Sequence, residues 1–174
     1  MKRKKVFLMC GVPGSGKSTW VEQRVKESPN NSTVISRDKI RFAILKENAE
    51  YFSKEAEVWA LFVHNAQSAI DNPSFTNIFI DATHLNEKAR NKILDALNVN
   101  DCEIIPVYFQ MPLHVCLERN RLRSGRAVVP DDVIKNMYRS YKSPTFYEQH
   151  TYDNIIAVQE NVEIILHNRT EWLN

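Results

Sequence analysis

The sequence predicts an α/β fold, a parallel sheet with helices on both faces, and three observations support this prediction. Short β-rich runs alternate with longer helical segments, and strands separated by helices need the crossover connections that build parallel sheets. Runs such as Val6–Met9 and Ile78–Ile80 are almost continuously apolar, as in strands buried on both faces. The chain has 174 residues, of which 43% are hydrophobic and 25% charged, values that suit one folded domain spanning residues 1–174.

Each predicted strand is a short run of β-branched, aromatic or other apolar residues. The predicted strands are Lys5–Cys10, Thr33–Ser36, Asn77–Asp81, Glu103–Phe109 and Asn154–Val158. Each predicted helix is a longer segment with helical periodicity, and Asn86, Pro112 and Pro130 favour helix starts. The predicted helices are Lys17–Glu27, Asp38–Glu47, Ser53–Asp71, Asn86–Leu97, Pro112–Arg123 and Pro130–Tyr141.

Composition and charge exclude several classes of protein. Cys10, Cys102 and Cys116 are too few and too scattered for a disulfide framework or a zinc site, so we expect reduced thiols. The longest apolar runs reach about six residues, far below the ~20 of a transmembrane helix, and the N-terminal run is too short for a secretory signal. These observations predict a soluble, cytoplasmic protein with no membrane partner. The net charge of +2 permits a nucleic-acid partner, and the oligomeric state stays open.

The segment Gly11–Thr19 matches the phosphate-binding pattern G-x-x-x-x-G-K-[ST], directly after a predicted strand and directly before a predicted helix. The chain has only four glycines, and three of them lie here, where the backbone must bend sharply around a ligand. Inward-pointing N–H groups favour a polyphosphate, with Lys17 reaching its β and γ phosphates and Ser18 binding Mg²⁺. An ordinary glycine turn with a solvated lysine is the alternative. The predicted nucleotide-binding residues of this segment are Gly11, Pro13, Gly14, Ser15, Gly16, Lys17, Ser18 and Thr19.

Acidic residues follow two predicted strands at the edge where parallel sheets bind ligands. Asp81 ends the third strand, where it can hold the magnesium shell or an acceptor group, or else merely cap a turn. Asp38 and Arg41 follow the second strand and share a helix face, so the carboxylate can accept a hydroxyl proton while the guanidinium holds a neighbouring anion. A helix cap with a surface ion pair is the alternative for these two residues.

Four arginines cluster late in the chain, between residues 119 and 126. Arg119 and Arg123 are i, i+4 neighbours, and like charges on one helix face repel unless an anion offsets them. We interpret residues 119–130 as a lid that closes over phosphates and stabilises the transferring phosphoryl group. A solvated basic face is the alternative. The lid residues predicted to bind nucleotide are Arg119, Arg123 and Arg126.

These motifs together resemble the kinase module of phage-type and bacterial polynucleotide 5′-kinases. The resemblance runs from about residue 5 to residue 142. It is carried by the segments Gly11–Trp20, Ser36–Arg41, Ile80–Asn86, Arg119–Val129 and Val129–Tyr138. It implies a P-loop NTPase fold of the adenylate-kinase type, with a five-stranded parallel sheet and an arginine-bearing lid. It also implies ATP and Mg²⁺ as cofactors.

The resemblance implies a role for each matching residue around the acceptor. Lys17 and Ser18 would serve ATP and Mg²⁺. Asp38 would be the general base, and Arg41 would hold the acceptor's 3′ phosphate beside the reacting 5′-hydroxyl. Asp81 would lie beside the acceptor and the metal.

The same resemblance assigns the lid arginines to the ATP phosphates. Arg123 would be the catalytic lid arginine, with Arg119 beside it. The stretch from the lid to Pro130 is one residue longer than in the family, which leaves open whether Arg123 or Arg126 is the main lid arginine. His84 stands where the family commonly has Asn.

Three functions are therefore in competition. The first is ATP-dependent transfer of the γ-phosphate to the 5′-hydroxyl end of a polynucleotide, DNA or RNA, as in nucleic acid repair. The second keeps the chemistry but has a small-molecule acceptor, a nucleoside, sugar or antibiotic hydroxyl. The third is a nucleotide-binding switch without acceptor chemistry. Replacing Asp38 discriminates the kinases from the switch, and replacing Arg41 discriminates the two acceptors.

Overall fold

A six-stranded sheet forms the centre of the computed structural model, which describes residues 3–149, 151–160 and 162–167. Its order across the sheet is β2-β3-β1-β4-β5-β6. The strands are β1 (Lys4–Cys10), β2 (Ser32–Ser36), β3 (Asn77–Asp81), β4 (Cys102–Phe109), β5 (Asn154–Gln159) and β6 (Val162–His167). The α/β prediction is confirmed, and the first five strands lie where the sequence predicted them, within one or two residues.

The prediction of five strands, all parallel, is wrong at one edge. Strands β1 to β5 pair in parallel, but β6 pairs antiparallel with β5. Only residues 160 and 161 connect the two strands, and so short a connection permits a hairpin but not a crossover. The apolar run Val162–Leu166 carried the signal for this strand.

The six predicted helices occur in the predicted order. The helices are α1 (Lys17–Glu27), α2 (Arg37–Ile44), α3 (Glu55–Asp71), α4 (Glu87–Asp95), α5 (Leu113–Arg121), α6 (Asp131–Ser140) and α7 (Phe146–Gln149). Helix α1 has the predicted ends, α2 to α6 have shifted ends, and α7 was not predicted. The predicted start of α2 at Asp38 moves to Arg37 because the Ser36 side chain accepts a hydrogen bond from the Lys39 amide and caps the helix. The helix ends at Ile44, before the predicted Glu47, because buried Leu45 is extended.

Two hydrophobic clusters cover the two faces of the sheet, because successive residues of a strand point to opposite faces. On one face Ile78 and Ile80 pack with Phe62 of α3 and Ile93 of α4. On the other face Phe79 packs with Trp20 and Val21 of α1. The helices therefore flank the sheet on both sides, as predicted, and the carboxyl ends of β1, β2 and β3 meet at one edge.

The three cysteines are free thiols inside the protein. Burial raises the pKa of Cys10 to about 12. Burial also raises the pKa of Cys102 and of Cys116. The prediction of reduced cysteines is confirmed in the structure.

No helix in the described ranges combines the length and the apolar character needed to cross a membrane.

Candidate active site

The phosphate loop, residues 11–19, connects β1 to α1 and is shaped by two glycines. Gly14 and Gly16 have φ angles of +80° and +97°, a region that other residues adopt only at a cost. A β-carbon on Gly14 would lie 2.2 Å from the Cys116 carbonyl oxygen of α5, so the loop passes too close to that helix for any side chain. Gly16 also occupies the N-cap position of α1, which directs the helix N-terminus into the loop.

Lys17 lies across the phosphate loop. Its Nζ donates hydrogen bonds to the carbonyl oxygens of Gly11, at 2.8 Å, and Val12, at 3.0 Å. Burial lowers the pKa of Lys17, the nearby Asp81 carboxylate opposes this shift, and the Arg123 guanidinium adds to it. The Ser15 hydroxyl is buried and has no hydrogen-bond partner among the described residues. The loop thus presents a cation and an unpaired buried hydroxyl where the sequence predicted a polyphosphate.

Asp81 lies at the end of β3, beside Ser36 at the end of β2, as their register requires. Burial raises the pKa of Asp81, while the charge of Lys17 and a hydrogen bond from Ser36 lower it and the charge of Asp38 raises it. The carboxylate predicted at this strand end is therefore close to the loop lysine and to Asp38. Its roles toward a metal ion or an acceptor remain predictions.

Asp38 is held by two donors that act on the same oxygen. Arg41 Nη1 donates to Asp38 Oδ1 over 2.5 Å, and the Tyr51 hydroxyl donates to the same oxygen over 2.7 Å. Burial and Asp38 raise the pKa of Tyr51, which keeps the hydroxyl protonated as a donor. The Asp38 side chain is 63% exposed, and its Oδ2 accepts no hydrogen bond from the part of the chain that the structure describes. One carboxylate oxygen is thus fixed by two donors, while the side chain as a whole stays largely exposed.

Arg41 is buried, which excludes the surface ion pair that the sequence left open. It is 4% exposed, donates to the Tyr51 hydroxyl over 2.8 Å and donates through Nη2 to Glu55 Oε2 over 2.8 Å. With Asp38 it therefore has three protein partners in the structure. A phosphate bound by Arg41 would have to compete with two carboxylates, and that role remains a prediction.

Tyr51 and Glu55 are the functional residues that sequence reasoning missed. Tyr51 lies in the turn before α3, and Glu55 begins α3 and also pairs with Arg37. Glu55 had one usable signal, because an arginine that helical spacing turns inward needs a carboxylate partner. Tyr51 had none, since the turn alone brings it back to α2.

The predicted lid arginines point to two different places. Arg119 Nη1 lies 3.5 Å from the position that a β-carbon on Gly16 would take, directly over the phosphate loop. Arg123 donates a hydrogen bond to the Ala127 carbonyl oxygen over 3.4 Å, and its charge lowers the pKa of Lys17.

Arg126 instead contacts α2. It donates to the carbonyl oxygens of Phe42, at 3.4 Å, and Leu45, at 3.3 Å, and its guanidinium carbon lies 4.8 Å from the centre of the Phe42 ring. In the segment predicted as a lid (residues 119–130, the lid segment), Arg119 and Arg123 therefore lie on the phosphate side and Arg126 on the Asp38 side.

Comparison with known proteins identifies the family. The sequence profile of the AAA domain family matches residues 6–144. An L-seryl-tRNA(Sec) kinase of Methanococcus maripaludis is 27% identical over 144 residues, which cover 80% of this chain and 53% of that protein. The chain thus spans about half the length of the curated relative that it matches.

Solved structures share the fold at low sequence identity. A chain in the structure of the Pnkp1/Rnl/Hen1 RNA repair complex matches with a TM-score of 0.68 at 16% identity, over 100% of this chain and 52% of that chain. A gluconokinase from Sinorhizobium meliloti 1021 matches with a TM-score of 0.56 at 14% identity, over 93% of this chain and 86% of that chain. Identities this low show the fold alone. Because the family profile covers most of the sequence, the protein belongs to the AAA domain family, and its fold is that of a P-loop kinase.

Proposed function

We propose that the protein is an ATP- and Mg²⁺-dependent kinase that transfers the γ-phosphate to the 5′-hydroxyl end of a polynucleotide. One observation supports this most directly. Asp81 ends β3 beside Ser36, and Asp38 follows Ser36 by two residues. Burial lowers the pKa of Lys17 while the charges of both carboxylates raise it, so a phosphate-binding cation and an acceptor-side carboxylate share one edge of the sheet. A nucleotide switch needs the phosphate-binding lysine but has no use for the acceptor-side carboxylate.

The residues of the phosphate loop fit a nucleotide and its metal ion. The left-handed glycines turn the loop around a ligand, the buried Ser15 hydroxyl has no partner among the described residues, and the α1 N-terminus favours an anion. The Ser18 hydroxyl and Asp81 would hold Mg²⁺, which commonly takes only one or two protein ligands beside phosphates and waters. Bound Mg²⁺ would neutralise charge on the transferring phosphoryl group.

The chain's own residues would orient the acceptor and stabilise developing charge. Asp38, fixed through Oδ1, accepts the hydroxyl hydrogen at Oδ2 and aims the oxygen at the phosphorus. Phosphoryl transfer has a loose transition state, so the carboxylate mainly orients and need not be a strong base. Arg119 and Arg123 lie on the phosphate side of the lid, where guanidinium groups stabilise the equatorial oxygens.

The relatives support a nucleic-acid acceptor. The curated relative is named as a kinase of a seryl-tRNA, and a structural neighbour belongs to an RNA repair complex. The gluconokinase neighbour favours the second candidate, a kinase of a small-molecule hydroxyl.

Transfer of labelled γ-phosphate to a set of acceptors tests the proposal. The set contains 5′-hydroxyl DNA and RNA oligonucleotides, the same oligonucleotides with a 5′-phosphate, seryl-tRNA, nucleosides and gluconate. We expect label on the 5′-hydroxyl oligonucleotides and none on their 5′-phosphorylated controls. Label on gluconate or nucleosides alone would establish the small-molecule kinase, and label on seryl-tRNA alone would place the acceptor hydroxyl on an amino acid.

The variant Asp38→Asn separates a kinase from a nucleotide switch. It keeps the size of the side chain but removes the charge that accepts the proton. We expect transfer to fall by at least about 100-fold, the usual contribution of a positioned acid–base group, with the ATP dissociation constant unchanged. Equal turnover in the variant and the native protein would contradict the kinase assignment.

A further inference from the structure

Phe52 is a large apolar side chain left in solvent beside the acceptor-side carboxylate. Its exposed fraction is 58%, and it is the only aromatic residue among the exposed large hydrophobic residues whose side chains the structure describes. The others lie in the lid segment or on β6. A phenyl ring in water forgoes the stabilisation that burial would give. A single exposed ring marks no site by itself, so the location of this ring is what matters.

The Phe52 ring is held in place by its neighbour. Phe52 and Tyr51 make an edge contact, with ring centres 4.8 Å apart and planes at 84°. The Tyr51 hydroxyl is in turn fixed by Asp38 and Arg41. Phe52 therefore packs against Tyr51, which belongs to the hydrogen-bonded group that orients the Asp38 carboxylate.

The distances from Arg41 to both residues show where Phe52 lies relative to the Asp38 carboxylate. The guanidinium carbon of Arg41 is 5.8 Å from the centre of the Phe52 ring, while its Nη1 is 2.5 Å from Asp38 Oδ1. The aromatic ring and the carboxylate thus flank one guanidinium. In a polynucleotide the 5′-hydroxyl and the first base are separated by a single sugar, so a hydroxyl at Asp38 brings the first base into this neighbourhood.

We propose that Phe52 is the stacking platform for the first nucleobase of the acceptor. This inference rests on the proposed function and deepens it, because it assigns a binding site to a part of the substrate that takes no part in the reaction. Aromatic side chains stack on every base through the π-face, so the contact adds affinity without selecting a sequence. A sugar acceptor could also pack on the ring, but it would bring no base.

A comparison of two acceptors isolates the stacking contact. One is a 5′-hydroxyl oligonucleotide with a normal first residue, and the other is identical but abasic at that residue. We expect Phe52→Ala to raise the KM for the normal acceptor roughly tenfold, the usual effect of removing one stacked ring, and to leave the KM for the abasic acceptor unchanged. The KM for ATP should not change, and Phe52→Trp should restore the KM for the normal acceptor.

The variant Ile165→Ala is the matched control. Ile165 is 51% exposed and lies on β6, at the opposite edge of the sheet from β2, so its loss should leave both acceptors unaffected. An equal rise in KM for both acceptors with Phe52→Ala, or no rise for either, would overturn the inference while the native protein still labels 5′-hydroxyl ends. If the native protein labels no oligonucleotide, the proposed function fails and this inference fails with it.

Discussion

The Tyr51 hydroxyl donates to Asp38 Oδ1 over 2.7 Å and at the same time accepts from Arg41 Nη1 over 2.8 Å. Tyr51 therefore completes a closed triangle of hydrogen bonds around the acceptor-side carboxylate. Arg41 alone could hold Asp38, but a second donor from the turn before α3 restricts rotation of the carboxylate about its own bond. Tyr51 acts through Asp38 and is a positioning residue.

We expect Tyr51→Phe to lower kcat for phosphate transfer between about 10- and 100-fold, because a small displacement of a reacting group costs that much. The phenyl ring keeps the contact with Phe52, so the KM for the acceptor should stay the same. Steady-state kinetics with a 5′-hydroxyl oligonucleotide provide the measurement. An unchanged kcat would show that Arg41 positions Asp38 without help.

The two lid arginines that sequence reasoning could not separate should differ in function. The charge of Arg123 lowers the pKa of Lys17, whereas Arg126 donates hydrogen bonds to carbonyl oxygens at the end of α2. We expect Arg123→Ala to lower kcat by about 100-fold or more, in the range measured for groups that stabilise transition-state charge. Arg126→Ala should lower kcat far less. Equal losses, or a larger loss with Arg126→Ala, would mean that the lid rearranges before transfer.

His84 should make stability depend on pH. It is 6% exposed, its Nδ1 donates to the Met9 carbonyl oxygen over 2.7 Å, and burial lowers its pKa to about 4 from the ordinary 6.5. Between these two values the unfolded chain binds more protons, so stability falls as pH falls from 6.5 toward 4. The loss between pH 7 and pH 5 should be about 2 kcal/mol.

Urea unfolding of His84→Asn at both pH values measures this contribution. His84 has a φ angle of +37°, which Asn tolerates, and the Asn amide can still donate to Met9. The variant should lose about 2 kcal/mol less than the native protein over the same interval. Equal losses in both proteins would assign the pH dependence to other groups.

Removing one partner of the buried ion pair between Arg90 and Glu148 should strongly destabilise the protein. Arg90 is 0% and Glu148 3% exposed, and Arg90 Nη2 donates to Glu148 Oε2 over 2.8 Å. Burial opposes ionisation of Glu148, but hydrogen bonds from Arg90 and Tyr152 outweigh it and lower its pKa. Glu148→Gln leaves a buried cation without its counter-charge, which costs about 3 kcal/mol of unfolding free energy.

Chemical denaturation at pH 7 checks this value, with Lys54→Ala as the control. Lys54 pairs with Glu57 on the surface, where the two side chains are 47% and 51% exposed. Solvent screens such a pair, so the control should leave the unfolding midpoint almost unchanged. A similar loss in both variants would mean that burial adds nothing to the Arg90 pair.

Contiguous sequence motifs predicted the phosphate loop and the contact between Asp38 and Arg41. No motif predicted the contacts that are made across loops. The phosphate loop is one uninterrupted segment between a strand and a helix, so its shape follows from Gly14, Gly16 and their neighbours. The contact between Asp38 and Arg41 followed from helical spacing alone. Tyr51 reaches Asp38 only because the turn before α3 folds back, and no local pattern encodes that path.

The sheet shows the same limit. Five strands were predicted because crossover helices separate them, and the helices impose a parallel arrangement. The strand β6 lies outside this alternation, and its antiparallel pairing depends on the short connection after Gln159. The pairing of Arg41 with Glu55 was likewise not predicted, because Glu55 comes from a different helix.

All three native thiols are inaccessible to solvent, so thiol reagents should leave them unlabelled. Maleimides and iodoacetamides react with thiolates, and Cys10, Cys102 and Cys116 are all shielded from solvent. A single cysteine introduced at exposed Ser124, between Arg123 and Arg126, would be the one site that such a reagent modifies in the described chain. A fluorophore there would report movement of this segment when substrates are added, without any prior removal of native cysteines.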